Sequence, residues 1–125
     1  MDKMMIGGRC IRALVAVALM ADGVFALMAP PALRAEMAAS GFPPWTSTVI
    51  GSCALISGVL YAVPRSAMLG AILATGFLGG AICAHVRLGE FGSPPQIASL
   101  SLGAMAWTGL WLSDARVRAL IPLRA

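Results

Sequence analysis

Three polar side chains of this apolar sequence have the types and positions to do chemistry: Asp22, His85 and Arg87, the last two followed closely by Glu90. A carboxyl set within a long apolar run, as Asp22 is, can exchange a proton or hold a ligand by a hydrogen bond. A His and an Arg beside a carboxylate can bind an anion or the carbonyl of a quinone. The competing readings are structural. Asp22 can bond to a serine such as Ser52, Ser57, Ser99 or Ser101, Arg87 can pair with Glu90 or a lipid phosphate, and His85 can sit among headgroups. Other chemistries lack their residues. The cysteines, Cys10, Cys53 and Cys83, form no closely spaced redox pair and are odd in number. Cys83 reads as a small packing residue, and a Cys53–Cys83 disulfide is the other arrangement open to it. A single His excludes bis-histidine haem, and no metal-binding spacing is present. There is no nucleotide loop and no serine or cysteine nucleophile motif.

The elements that position these residues follow from composition. The chain has 125 residues, 59% hydrophobic and 11% charged, with a mean hydropathy of +0.87. A soluble domain carries about 25% charged residues. Nine Lys or Arg and five Asp or Glu cannot coat a water-soluble fold of this size, and the apolar excess excludes disorder. Lipid is the expected solvent. A helix needs about 18 or more apolar residues to cross a hydrocarbon core about 30 Å thick. Four windows qualify, at about 11–28, 46–63, 67–85 and 96–112. Pro30 and Pro31, then Gly41, Pro43 and Pro44, then Pro64, and finally Gly89, Gly92, Pro94 and Pro95 separate them. The sequence therefore predicts a single all-α membrane domain over 1–125, with four transmembrane helices in a bundle.

Cations orient it. Lys3, Arg9, Arg12, Arg65, Arg116, Arg118 and Arg124 fall on one side of the predicted spans, and only Arg34 and Arg87 on the other. Short basic loops stay inside, so both termini are expected in the cytoplasm of a bacterial cell, below its inner membrane. The net charge of +4 then needs no nucleic acid as partner. A cleaved signal peptide is the rival reading of the N-terminal segment, but Asp22 would interrupt its apolar region, and the span is expected to stay.

Between the spans, residues 32–40 read as a short helix on the outer interface, with Gly41 as its cap. After the fourth span, Ser113 or Asp114 can cap a turn or two carrying Arg116, Val117, Arg118, Leu120 and Ile121, ended by Pro122. Trp45, Tyr61 and Trp111 fall where amphipathic rings meet the membrane interface. Small residues should form the helix contacts: Ser47, Gly51, Ala54 and Gly58 in the second span, Gly76 and Gly80 flanked by Gly79 and Cys83 in the third, and Gly103, Ala106 and Gly109 in the fourth. Ala18 and Ala26 give Asp22 a small-residue face suited to a position inside the bundle, about 9 Å below the outer boundary.

The run Tyr61-Ala62-Val63-Pro64-Arg65-Ser66-Ala67-Met68-Leu69-Gly70-Ala71, then Thr75-Gly76-Phe77-Leu78-Gly79-Gly80-Ala81 and His85-Val86-Arg87-Leu88-Gly89-Glu90, resembles the DoxX-like family of small bacterial membrane proteins. The likeness extends to Asp22-Gly23, Gly41-Phe42-Pro43 and the ending from Trp107 to Pro122. It implies a four-span inner-membrane protein. The family takes its name from a membrane subunit of an archaeal thiosulfate:quinone oxidoreductase, which implies a link to membrane redox complexes. Where relatives often carry a Lys and a Glu, this chain has Ala26 and Ala54, an ion pair lost from both sides.

These readings converge on a non-catalytic or accessory membrane protein that docks a redox partner protein, or binds quinone near Asp22 and His85, with a homo-oligomer as another way to complete so small a domain. A proton-coupled transporter using Asp22 and a purely structural scaffold are the alternatives.

Overall fold

Asp2 opens the first helix, its carboxylate accepting the Met4 N–H at 3.3 Å. In the computed structural model, which describes residues 2–120, helix α1 then runs unbroken over Lys3–Met28. Pro31 begins the short helix α2, Pro31–Ala39, at the position where a missing N–H costs nothing. Gly41, with φ +82°, turns the chain toward α3, Thr46–Ala62. A tight turn through Pro64 leads to α4, Ala67–Arg87, and Gly89 and Gly92, both with positive φ, lead to α5, Pro94–Ser113. Asp114 caps α6, Ala115–Leu120, by accepting the Arg116 N–H at 2.9 Å. The described residues contain no strand. Ile121, Pro122 and Arg124 lie outside the described residues.

The short connections lay successive long helices antiparallel. The main helix contacts are α1 with α3 and α5, and α4 with α3 and α5. One end of the molecule therefore gathers Lys3, Arg9, Arg12, Arg65, Arg116 and Arg118, and the far end Arg34 and Arg87. At the basic end lies the core: Val15, Ala16 and Leu19 of α1, Tyr61 of α3, Ala67, Ala71 and Ala74 of α4, Ala106 and Leu110 of α5, and Val117 of α6. Beyond Leu78 in α4 and before Ala106 in α5, no residue is buried. Large apolar side chains instead face outward on all four long helices, among them Val17, Ile56, Ile72 and Leu100.

Two helices, α1 and α4, are long and apolar enough to cross a membrane. Only 28% of each crossing window is buried in the protein, unlike the core helix of a soluble domain. The other two differ from the sequence expectation in degree. Helix α3 is apolar but has 17 residues, about 26 Å of rise. Helix α5 has 20 residues, but Pro94, Pro95, Gln96, Ser99 and Ser101 dilute its apolar content.

Candidate functional site

Asp22 comes first, because its placement departs from expectation. The buried stripe of α1 runs through Gly8, Val15, Ala16, Leu19, Gly23 and Ala26, and Asp22 lies at its flank with an exposed side chain. Ala26 is buried, whereas Ala18 is only partly so. Gly23 of this stripe meets Gly51 and Leu55 of α3, and Asp22 beside it is turned away from the interior rather than into it. Among the described residues Asp22 has no hydrogen-bond or ion-pair partner. Ser57 donates instead to the Cys53 carbonyl at 2.7 Å, and Ser99 to the Pro95 carbonyl at 2.9 Å.

His85 and Arg87 end α4 at the far end, and both are engaged. His85 Nδ1 lies 2.7 Å from Glu90 Oε2, and the Glu90 N–H donates to the His85 carbonyl at 2.9 Å, so the turn through Gly89 folds the carboxylate back onto the ring. Arg87 does not pair with Glu90. Its guanidinium donates to the Ser40 carbonyl at 2.9 Å and sits 5.3 Å from the centre of the Phe42 ring, tying α4 to the loop after α2. A cavity of about 650 Å³ lies beside that loop, lined by Arg34, Met37, Phe42, Pro43, Pro44 and Ser47. No hydrogen bond or ion pair among the described residues joins Asp22 to His85 or Arg87.

The glycines divide. At Gly51 an added Cβ would lie 2.8 Å from the Gly23 carbonyl oxygen, and at Gly58 2.9 Å from Met20 Cγ, so both mark places where α1 and α3 touch closely. Gly76 and Gly80 correct the expectation that they form a helix contact: nothing lies within 4 Å of a Cβ on either. The fourfold spacing is real, but α4 turns its Ala67, Ala71 and Ala74 face inward and the glycine face out. The other close approaches are at Gly8 against the Gly109 carbonyl and at Gly70 against the backbone of Tyr61. Cys10, Cys53 and Cys83 are free and exposed, with no disulfide between Cys53 and Cys83. Among the described residues no three His, Cys, Asp or Glu side chains come together to hold a metal ion.

The basic end holds a constellation whose members the sequence offers separately, as orienting cations, a helix cap and an interfacial ring. Tyr61, expected at the lipid interface, is fully buried, and its hydroxyl donates to the Ala106 carbonyl at 2.8 Å. Arg12 lies over its ring, 5.8 Å from the centre, and Nη1 donates weakly to Ser113 Oγ at 3.4 Å. Arg12 Nε is buried without an acceptor in the protein. Burial works to raise the pKa of Asp114, but the N–H and guanidinium of Arg116 and the charges of Arg116 and Arg12 outweigh it and hold the carboxyl below its ordinary value. The available signals were Arg9 and Arg12 three residues apart on a helix, and a tyrosine just before the Pro64 turn.

No curated protein and no solved structure matches this chain. The model of the DoxX-like family matches residues 10–109, which run from the start of the α1 core to the Gly109 contact, and the chain belongs to that family.

Proposed function

We propose that the protein is a multi-pass inner-membrane protein whose four long helices all cross the bilayer, with both chain ends in the cytoplasm, and that it works as a non-catalytic accessory subunit presenting Asp22 to a membrane partner. Membership of the DoxX-like family and the outward apolar side chains support a lipid environment. Helix α3 packs against both α1 and α4, the two helices that qualify for crossing on their own, and α5 likewise packs against both. Crossing by one pair therefore carries the other. Six cations at one end against two at the other among the described residues support a basic end that faces the cytoplasm. The first helix supplies Val15, Ala16 and Leu19 to the core, so losing it as a leader would uncover Tyr61 and Leu110.

The observation that carries the accessory role is Asp22 itself, an exposed carboxyl within an apolar helix and without a partner among the described residues. Exposing a carboxyl to hydrocarbon costs on the order of 2.5 to 3.5 kcal/mol at full depth, and a donor on a neighbouring protein would offset it. Ala26 and Ala54, both buried, leave no charged group at those positions to do so. A photo-crosslinking side chain at Phe25, exposed one turn from Asp22, tests this in cells. A discrete adduct with another membrane protein, lost in Asp22→Asn, is the expected result. An adduct pattern unchanged in Asp22→Asn, or no adduct beyond lipid, contradicts the role.

A further inference from the structure

We infer that the cavity at the basic end, where Arg9, Arg12 and Arg116 converge on Tyr61 and Ser113, is a binding site for a phosphate-bearing anion. It is independent of the reading of Asp22. The cavity holds about 470 Å³ and is built from four separate elements: Arg9 and Arg12 come from α1, Tyr61 from α3, Ser113 from α5, and Arg116 from the start of α6, with Asp114 beside it. Among the described residues Asp114 is the one carboxylate lining it beside the guanidiniums of Arg12 and Arg116, which leaves that part of the site cationic. That carboxylate is already committed: Asp114 Oδ1 takes the Arg116 N–H at 2.9 Å and approaches its Nε at 3.5 Å, but forms no bond to Arg12.

Arg12 is the residue whose geometry asks for a ligand. A guanidinium offers five N–H donors in a fixed fork, matched to the oxygens of a phosphate. Among the described residues its one hydrogen-bond acceptor is Ser113 Oγ, at the long distance of 3.4 Å, while the ring of Tyr61 holds the plane in place from one side. Its Nε is buried and unsatisfied within the protein, and buried donors are nearly always bonded. A phosphate oxygen in the cavity would accept from Arg12, with Arg116, whose side chain is 85% exposed, at the mouth, while the Ser113 hydroxyl keeps its proton on the Gly109 carbonyl at 2.7 Å. The chemistry fits two sources, the headgroup of an anionic phospholipid or a free phosphate from the aqueous side.

The full chain is purified in detergent, reconstituted in nanodiscs of phosphatidylcholine with or without phosphatidylglycerol, and examined by native mass spectrometry for retained lipid. Thermal unfolding in detergent with added inorganic phosphate forms the second arm. Retention of phosphatidylglycerol over phosphatidylcholine, weakened about tenfold in Arg12→Gln, as expected for one charge-assisted hydrogen bond, identifies a lipid headgroup. A rise in Tm with phosphate that Arg12→Gln abolishes identifies a soluble anion. Arg116→Gln, at an exposed side chain, keeps the test decisive should Arg12→Gln fail to fold, and Arg87→Gln at the far end should leave both readouts as in the wild type. Equal retention of the two lipids with no effect of phosphate overturns the site, as does binding that survives both Arg12→Gln and Arg116→Gln.

Discussion

At the basic end Tyr61 is fully buried, its hydroxyl reaching across to α5, while at the far end Trp45 is 64% exposed and α4 and α5 bury nothing in their last and first turns. The four helices thus meet through backbone contact at the basic end, whereas toward the far end close backbone contact is kept by α1 and α3, with a few polar ties beyond it. The basic end uses glycine at Gly8 and Gly70 to bring helices within touching distance. The far end keeps α1 and α3 in contact at Gly23 and Gly51, and relies on Arg87 to Ser40 and His85 to Glu90 for the rest. Helix position is fixed where the arginines cluster, whereas Asp22 lies exposed with no partner among the described residues.

The sharpest way to break this contrast is to fill a contact at the packed end. Gly70→Val would drive its side chain into the Tyr61 backbone, which cannot rotate away, and should cost about 3 kcal/mol or more in unfolding by denaturing detergent. Gly76→Val, on the outward face of the same helix, should leave the unfolding midpoint within about 0.5 kcal/mol of wild type. Equal losses in the two variants would mean that α4 presents its glycine face inward after all. Next in size is Tyr61→Phe, which removes one buried hydrogen bond and should cost about 1 to 2 kcal/mol in the same assay. At the far end Arg87→Gln loses a cation–π contact and a bond to Ser40, and should cost about 0.5 to 1 kcal/mol. It should also raise the rate of protease cleavage near Gly41 more than it lowers global stability.

The smallest effect is a pH dependence confined to the basic end. The Asp114 carboxyl has its pKa lowered in the folded protein below its ordinary value of 3.8. Its contribution is therefore fully present above pH 3.8 and lost as pH falls through the depressed folded value. Asp114→Asn should flatten that acid-side decline in a detergent melting series, with no change near neutrality.

Much of the architecture was legible because it is a matter of solvent and punctuation. The apolar windows, the Pro and Gly breaks, the short helix after Pro31 and the cap at Asp114 each follow from a local rule that the surroundings do not overrule. The lengths of α3 and the polarity of α5 were the weaker part, since a hydropathy window counts residues that the helix itself does not include. The site was less legible. Facing directions in a helix whose every side is apolar have no periodic signal, so Asp22 and the pair Gly76 and Gly80 were assigned to the interior when both face out. Tyr61 was misplaced for the same reason: an amphipathic ring near a span end suits lipid equally well, and only the approach of Gly70 and the Ala106 carbonyl shows that it is core.

The central claim is four crossings with the arginine-rich end inside, and cysteine labelling in intact cells tests it most directly. Cys10, Cys53 and Cys83 are exposed and free, so all three can be replaced by serine before single cysteines are placed by Ser40→Cys and Phe91→Cys at the far end and by Ser66→Cys and Ala115→Cys at the basic end. A membrane-impermeant maleimide should label the first two in intact spheroplasts and the last two only after the membrane is opened. Labelling of Ser66→Cys or Ala115→Cys from outside, or protection of Phe91→Cys, would contradict it.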